Sequence, residues 1–272
     1  MAARTTAIPY PDFDFTIAGL GIEGMESGEL SISQDLHTTV DGDPDYDTDY
    51  CRGMRSWQIT GSGSWVETNA ECGSAGVVNV AGGSDDLKGV GSFTVSCERT
   101  MIDVSSQSSS GSREFLPGRK DVGVTFNGVY FDAASTGANW SEWYADVAEG
   151  TGTGMTLALE WGSGSTMTGT AYGDGLTISR PDDGKVELSG SAKYTGTVTD
   201  GSAGGTNIDK IVNAFFAGTS VSLKITTAAT TETQFVGTAY PSSISWTVPF
   251  EGKIEFSYTL QGSGALVDSV VT

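Results

Sequence analysis

The sequence predicts a mainly β protein built as two tandem β-sandwich domains with long hairpins and short flanking helices. Three observations predict it: the composition, a period-two alternation in several segments, and an internal repeat. Glycine occupies 38 of 272 positions, and charged residues make up only 18%. Many Gly, Ser and Thr between short β-branched and aromatic runs are typical of strands joined by turns. With 38% hydrophobic residues, the chain can bury a core.

The charge balance excludes two classes of partner. Asp and Glu total 34 against 14 Lys and Arg, giving a formal net charge of -20. Nucleic-acid binders replace phosphate counterions with Lys and Arg, and no basic block is present to do so. An anionic membrane surface would repel the chain as well. No stretch reaches the apolar length of a membrane span, and residues 1–10 lack the apolar core of a signal peptide, so secretory export is not expected.

Four long hairpins are predicted and are named A to D in chain order. Hairpin A joins a strand at residues 29–35 to a Gly-opened, alternating strand at residues 53–65. Hairpin B joins residues 93–104 to residues 118–128, which have the same alternation between terminal glycines. No helix pattern is visible in the Gly- and Ala-rich residues 66–88, so this first half of the chain is the more divergent.

Hairpins C and D belong to an internal repeat. The tetrapeptide Gly-Thr-Ala-Tyr at residues 169–172 recurs at residues 237–240, a shift of 68 residues. The same shift relates Glu187 to Glu255 and Gly196 to Gly264. A common register across the whole segment predicts two copies of one structure.

Each copy begins with a predicted short helix that carries one apolar stripe. Asn139 and Asn207 stand at the N-cap positions, and Gly150 and Gly218 stand where each helix should end. Burial of the stripe against a sheet must hold such short helices. The stripes, at i, i+3, i+4 and i+7, consist of Trp140, Trp143, Tyr144 and Val147 in the first copy and of Ile208, Ile211, Val212 and Phe215 in the second.

The last strand of the second copy has the clearest alternation, and we expect its apolar face to meet the core. Two hairpins with their intervening strands make one domain of ordinary size, so we divide the chain near Ser135. The predicted domains are residues 1–135, with hairpins A and B, and residues 136–272, with hairpins C and D. The expected core face of the last strand consists of Ile254, Phe256, Tyr258 and Leu260.

The polar faces of the hairpins carry the candidate functional residues. A hairpin with one polar and one apolar face needs partners along its edges, because open edges aggregate. Closing hairpins from several chains into a barrel removes the edges and surrounds a water-filled lumen with the polar faces. The alternative is that these faces meet bulk solvent on an ordinary sandwich. The candidate lumen residues are Asp121, Glu187, Glu255, Lys185, Lys193 and Lys253.

Motifs for catalysis and for cofactors are not found. His37 is the only histidine, it stands beside no nucleophile elbow, and we expect it to be a solvent-facing loop residue. No phosphate-binding Gly-x-x-x-x-Gly-Lys motif occurs. The three cysteines, Cys51, Cys72 and Cys97, lack metal-ligand spacing and are expected to be buried or reduced. We therefore predict no catalytic or cofactor-binding residue and no enzymatic activity.

One acidic loop is a weak candidate for a calcium site. Alternate aspartates offer the oxygen ligands that Ca²⁺ prefers. The EF-hand pattern nevertheless fails, because Tyr46 and Arg52 stand where that loop requires Gly and Glu. The alternative is a solvated, repulsive hairpin tip. The aspartates are Asp41, Asp43, Asp45, Asp47 and Asp49.

Several segments resemble the major tail tube proteins of long-tailed, siphovirus-like phages and related tailed viruses. They are the Gly-x-Gly strand endings at residues 60–63 and 260–264 and the strands that precede them, residues 55–59 and 252–257. In that family a Trp-bearing strand ends in Ser-Gly-x-Gly, and a short helix, Gly-x-Ala and a final Gly-Ser-Gly follow. The resemblance covers residues 20–266, through short and Gly-rich motifs.

The resemblance implies a structural virion protein whose hairpins join across neighbours into a ring-shaped β-barrel. Stacked rings would form the tail tube through which viral DNA passes transiently and without sequence specificity. The implied partners are further copies of the chain and the tape measure, tail terminator and baseplate proteins, with no membrane. The implied location is the virion tail, after assembly in the host cytoplasm.

The ring size and two other functions stay open from the sequence alone. A family subunit usually carries one tube domain and this chain carries two in our division, so we expect trimeric rings with pseudo-sixfold symmetry; hexameric rings are the alternative. A capsid decoration or baseplate subunit is a second structural possibility. A carbohydrate-binding β-sandwich adhesin is a third, and it should show exposed loop aromatics beside Asp or Asn.

Overall fold

The computed structural model describes residues 13–17, 20–21, 25–39, 49–64, 77–80, 85–86, 90–129, 143, 147, 154–161, 165–180, 186–201, 207–227, 233–249 and 253–270. Within these ranges the chain forms fourteen strands, one α-helix and a short 3-10 helix. The mainly β fold predicted from composition and alternation is therefore confirmed.

The strands differ widely in length, and the eight longest carry the architecture. They are β1 (Phe13–Ile17), β2 (Leu20–Gly21), β3 (Met25–Thr39), β4 (Asp49–Ser64), β5 (Val77–Val80), β6 (Asp85–Asp86), β7 (Val90–Asp103), β8 (Phe115–Val129), β9 (Met155–Trp161), β10 (Ser165–Ser179), β11 (Glu187–Asp200), β12 (Val221–Thr227), β13 (Thr233–Pro249) and β14 (Glu255–Val270). The α-helix is α1 (Asn207–Ala217), and the 3-10 helix is Gln107–Ser109.

Four antiparallel hairpins form where the alternation predicted them. Hairpin A pairs β3 with β4, B pairs β7 with β8, C pairs β10 with β11, and D pairs β13 with β14. Further antiparallel pairs join β4 to β14, β13 to β7, and β8 to β11. The eight strands thus form one continuous sheet in the order β3-β4-β14-β13-β7-β8-β11-β10, and the hairpins follow in the order A, D, B, C.

Shorter strands branch from the outer halves of two hairpin strands. Strands β12, β1 and β2 extend the sheet from the first half of β13, and β9, β5 and β6 extend it from the first half of β10. Residues Met155, Leu157, Leu159 and Trp161 of β9 are buried, so this layer contributes its alternate residues to the core. Hairpins C and D therefore each pair with one short strand at the same end, hairpin C with β9 and hairpin D with β12.

The core face of the last strand is as predicted. Phe256, Tyr258 and Leu260 are buried, and Ile254 is half-buried against the same core. Phe256 and Tyr258 stack along the strand with ring centroids 6.1 Å apart. The alternation therefore assigned the two faces of this strand correctly, because a strand buried on one side repeats its environment every second residue.

Helix α1 begins at Asn207, one residue earlier than its prediction as the N-cap implied, and ends where Gly218 adopts a left-handed backbone. Gly218 has a φ of 67°, its amide donates to the Phe215 carbonyl at 3.2 Å, and the Thr219 amide donates to the Ala214 carbonyl at 3.0 Å. Glycine tolerates this conformation without the steric cost of a Cβ, which explains the stop. The predicted stripe is buried; it consists of Ile208, Ile211, Val212 and Phe215.

Two residues of the corresponding stripe in the first copy are described. Trp143 is buried, meets Phe126 edge to face at a centroid distance of 4.5 Å, and donates from Nε1 to the Gly175 carbonyl at 3.3 Å. Val147 is half-buried against the core. Trp140, Tyr144, the Asn139 cap and Gly150 lie outside the described residues.

The predicted division near Ser135 also falls outside the described residues. It separates hairpins B and C along the chain, but these two hairpins are neighbours in the sheet, where β8 pairs with β11. The division of the chain into two domains stays a prediction at this point.

Candidate functional site: the polar face of the hairpin sheet

The eight hairpin strands turn one face to the core and the other to water. On β8, Val122, Val124 and Phe126 are buried, whereas Asp121, just before them, and Thr125, between Val124 and Phe126, are exposed. Successive side chains of a strand point to opposite faces, so each strand contributes to both surfaces. The water-facing surface of these strands is called the polar face below.

Hydroxyl groups dominate the middle of the polar face. Five serines on five neighbouring strands stand opposite one another in a single row across β3, β4, β14, β13 and β7. The first two share a hydrogen bond of 2.7 Å between their Oγ atoms. The serines of this row are Ser27, Ser62, Ser257, Ser245 and Ser96.

A second row places threonines beside the serine row. Thr247, Thr94 and Thr125 stand opposite one another on β13, β7 and β8. The Oγ1 atoms of Thr94 and Thr247 are 2.9 Å apart and form a hydrogen bond. Paired hydroxyls of this kind leave a polar but uncharged surface along the centre of the sheet.

The structure brings most of the predicted charged residues to this face. Asp121, Glu187, Glu255 and Lys193 are exposed and alternate with buried residues of their strands. Lys253 is exposed as well, two residues before Glu255. Lys185 lies outside the described residues.

Lys193 and Asp121 form an ion pair, which the sequence did not predict. Lys193 Nζ lies 2.8 Å from Asp121 Oδ2. The hydrogen bond and charge of Asp121, with smaller contributions from Asp174 and Glu98, raise the pKa of the Lys193 ammonium. The pair is exposed, so it adds little to stability but neutralises one carboxylate of the polar face.

Two further carboxylates of the polar face were missed. Glu98 stands opposite Asp121, and Glu29 stands opposite Thr60. Both are exposed. The alternation of β7, in which Phe93, Val95 and Cys97 are buried, would have placed Glu98 on this face.

The β7–β8 connection fastens three hairpins together at one end of the sheet. The Arg55 amide donates to the Gly111 carbonyl, the Arg113 amide to the Arg55 carbonyl, and the Gly264 amide to the Arg113 carbonyl, each at 2.8 Å. The Arg113 guanidinium also bonds the carboxylates of Asp35 at 2.7 Å and Asp103 at 3.0 Å. The bonded Asp35 carboxylate, followed by that of Asp103, raises the pKa of Arg113.

Three other predicted features have little role in this site. His37 is exposed but lies on β3 opposite Cys51, so its placement in a loop was wrong; the alternating strand continues past Asp35. Cys97 is buried, and burial raises the pKa of its thiol. Of the acidic loop, residues 41–48 lie outside the described residues, and Asp49 is described only through its backbone pairing with Thr39.

Neither a metal-binding cluster nor a membrane-spanning helix is found among the described residues. No group of three or more His, Cys, Asp or Glu side chains there could hold a metal ion. No described helix is long and apolar enough to cross a membrane.

The outer strands of the hairpin sheet, β3 and β10, expose apolar residues that point to the core side. Ile32 stands opposite the buried Trp57, and Ile178 stands opposite the buried Leu188. Ile32 is nevertheless 57% exposed and Ile178 is 55% exposed. Within the described residues, β3 pairs only with β4, and residues 175–179 pair only with β11. Among the described strands, the hairpin sheet therefore has two open edges, the free side of β3 and the segment 175–179 of β10.

Residues 85–200 match the model of a protein family described as phage tail tube protein. A chain in the virion of a native gene transfer agent (GTA) particle is 15% identical, with a TM-score of 0.41 over 48% of this chain and 98% of that one. A chain in the tail of an empty GTA particle with C6 symmetry is 15% identical, with a TM-score of 0.38 over 46% and 93%. A comparison with curated proteins finds no match.

The family match begins at β6, includes hairpins B and C, and ends at the last residue of β11. It thus covers four of the eight strands that form the polar face. Over this part of the chain, the match agrees with the resemblance to phage tail tube proteins that the sequence motifs indicated.

Proposed function

We propose that three copies of this chain close into a ring and that stacked rings form the tail tube. The observation that carries the proposal is the eight-stranded hairpin sheet, which is polar on one face and apolar on the other. Among the described residues it is open along β3 and along residues 175–179 of β10. Such a sheet loses its edges by closing into a barrel, and the barrel then encloses the water-facing polar face.

The number of copies follows from the number of hairpins. Each chain supplies four hairpins, whereas a single-domain tube subunit of the kind implied by the resemblance supplies two. Three chains would then place twenty-four strands around the lumen with pseudo-sixfold symmetry. A ring of six chains is the alternative, and it would double that number or leave hairpins outside the barrel.

The polar face suits a passive channel for DNA. Its carboxylates, among them Glu187 and Glu255, would repel phosphate groups, and the serine and threonine rows offer no charge to hold them. DNA would therefore pass without being bound. A conduit of this kind requires no reacting group, and we propose that the chain is not an enzyme.

The same arrangement defines where other tail proteins would act. A tape measure protein would occupy the lumen during assembly, and terminator and baseplate proteins would meet the two ends of the stack. The net charge of -20 makes chains repel one another, so salt or an initiating complex should promote stacking.

Electron microscopy of the purified chain tests the assembly. We expect dispersed particles in low salt and hollow tubes of uniform width at high protein concentration in high salt. Shells or compact particles of fixed size under all conditions would favour a capsid or baseplate subunit and contradict the tube.

Charge reversal in the virion tests the lumen. Replacing Asp121, Glu187 and Glu255 by Lys should leave assembly possible but slow DNA ejection, because ammonium groups would bind phosphates. A double variant, Glu187→Lys with Glu255→Lys, allows a charge-matched comparison. Its control is Glu160→Lys with Asp268→Lys, which changes two exposed carboxylates outside the polar face. Equal ejection rates for the two double variants would remove the polar face from the lumen.

A further inference from the structure

Hairpins A and B are two copies of one structure, related by a constant offset in the sequence. In hairpin A the strand register slips between Met25 and Ser27 and again between Gln34 and Leu36. In hairpin B it slips between residues 90 and 92 and between residues 99 and 101. Both slips of hairpin B lie the same number of residues after those of hairpin A, the number that separates Trp57 from Val122. This displacement is called the A–B offset. Irregularities at matching positions indicate a common origin, because bulges are specific features of a strand pair.

Hairpins C and D repeat each other in the same way, at the offset that takes Glu187 to Glu255. The second register slip falls between Gly173 and Gly175 in hairpin C and between Pro241 and Ser243 in hairpin D. Residues 196 and 264, related by this C–D offset, are both glycines of positive φ, 70° and 78°. The cross-strand pairs coincide as well, so that Ile178 with Leu188 corresponds to Trp246 with Phe256.

The junctions between hairpins follow the same correspondence. In the junction of A with D, Ile59 stands opposite Leu260. In the junction of B with C, Val124 stands opposite Ala192. The A–B offset takes Ile59 to Val124, and the C–D offset takes Ala192 to Leu260, so the two junctions have one register.

The chain therefore contains two equivalent halves that are nested. Hairpins B and C form one half, continuous in sequence, and its extent agrees with the family match at residues 85–200. Hairpins A and D form the other half, which begins before residue 85 and resumes after residue 200. This grouping differs from the tandem division near Ser135, which pairs A with B and C with D.

One junction has no counterpart within the described chain. Strand β7 of hairpin B pairs with β13 of hairpin D and thereby joins the two halves. The same correspondence takes β7 to β3 and β13 to β10. Within the described residues, β3 pairs only with β4 and residues 175–179 of β10 pair only with β11, so both segments have an open edge. We propose that β3 of one copy pairs antiparallel with β10 of a second copy in the register of the β7–β13 junction. This pairing between copies is called the seam, and it rests on the proposed ring.

The correspondence fixes the register of this seam. Ser96 opposite Ser245 converts into Ser31 opposite Thr177 of the second copy. Val95 opposite Trp246 and Cys97 opposite Ile244 convert into two apolar pairs. These pairs are Leu30 with Ile178 and Ile32 with Leu176.

This register buries the apolar side chains that the single chain leaves exposed. Val95, Cys97, Ile244 and Trp246 are all buried in the internal junction. Their counterparts Ile32 and Ile178 are more than half exposed, whereas Leu30 and Leu176 are half-buried. Pairing the edges would bring all four onto the core side, and Ser31 and Thr177 onto the polar face. A slip by one residue would reverse both assignments, so this register is strongly specified.

Disulfide trapping tests the seam in the full-length chain. Ser31→Cys with Thr177→Cys, in a background with Cys51 and Cys72 replaced by Ser, should cross-link chains upon oxidation, with a ladder that ends at three chains. The matched control is Ser33→Cys with Ser179→Cys, also polar-face residues. It places the thiols four residues out of register, about 13 Å along the strand and beyond the reach of a disulfide.

A second pair of variants tests the seam without cysteines. Ile32→Lys should prevent tubes while the circular dichroism and thermal unfolding of the monomer stay unchanged, because the side chain is exposed there. Ile102→Lys is the matched control: Ile102 is 51% exposed near the tip of hairpin B and outside the seam, so tubes should persist.

The outcomes separate the seam from the tube. Tubes with preferential cross-linking of the in-register pair support both. Tubes in which the two cysteine pairs cross-link equally or not at all overturn the seam and leave the tube standing. A wild-type chain that forms neither rings nor tubes overturns the proposed function and the seam with it.

Discussion

The A·D and B·C halves of the sheet share one strand register but fill their cores in opposite ways. In the A·D half, Tyr258 on β14 lies over Gly61 on β4, where a Cβ would meet the tyrosine ring at 2.5 Å. In the B·C half the aromatic residue is on the other strand, and Phe126 on β8 lies over Gly190 on β11. Each half thus pairs one ring with one glycine, in reversed positions.

The neighbouring positions show the same exchange. Trp57 packs against Gly262 in the A·D half and donates from Nε1 to the Gly264 carbonyl at 3.1 Å. The corresponding residues of the B·C half are Val122 and Tyr194, small where the first half is large and large where it is small. The two halves therefore keep the same strand register although their residues differ, provided that the summed volume of each facing pair is kept.

The largest expected effect compares equivalent core positions of the last strands. Phe256 and Leu188 are both 3% exposed. Phe256→Ala should lower the free energy of unfolding by about 3–5 kcal/mol, and Leu188→Ala by about 2–3 kcal/mol, because Leu188 borders the exposed Ile178. Urea denaturation of the unassembled chain in low salt measures both. A loss near zero for Phe256→Ala would mean that the faces of β14 are assigned backwards.

An exchange of the ring and the glycine tests the volume rule. Gly61→Phe alone forces two rings into the space of one and should cost about 1–3 kcal/mol. Adding Tyr258→Gly copies the B·C arrangement into the A·D half, and the double variant should be more stable than Gly61→Phe in the same urea denaturation. If the losses in free energy of unfolding caused by the two substitutions simply add, the halves do not obey a common packing rule.

A smaller effect is expected at Arg99 of hairpin B, which contacts the end of α1. Arg99 donates to the Gly118 carbonyl at 3.0 Å and to the Phe215 carbonyl at the end of α1, and it lies 5.1 Å from the Phe215 ring centroid. Its counterpart Gln34 makes one long bond, to the Gly53 carbonyl at 3.5 Å.

Arg99→Gln, which copies the A residue into B, should cost about 1–2 kcal/mol, whereas Gln34→Ala should change stability by less than about 0.5 kcal/mol. Thermal unfolding of the two variants under identical conditions measures the difference. Equal stabilities would mean that α1 is held by its apolar stripe alone.

The hairpins and their core faces could be predicted because alternation is a local property of each strand. The C and D repeat was visible since Gly-Thr-Ala-Tyr is identical in both copies. The sequence did not predict that hairpin A belongs with hairpin D. Their contact is the pairing of β4 with β14, which joins residues about two hundred positions apart. No local pattern encodes such a contact.

The candidate site was predicted in part for the same reason. Glu187 and Glu255 lie in strands whose alternation was counted, and both are exposed on the polar face; that this face lines a lumen stays a prediction. The ion pair of Lys193 with Asp121 joins β11 to β8 and depends on a sheet order that the sequence did not supply. The serine row was missed since each serine is ordinary within its own strand and becomes a feature only across five strands.

A structure of the assembled tube at a resolution that traces strands tests the central claim most directly. We expect three chains per ring, twenty-four hairpin strands with the polar face inward, and β3 of each chain beside β10 of the next. A ring of six chains, with two hairpins of each chain outside the barrel, would contradict it.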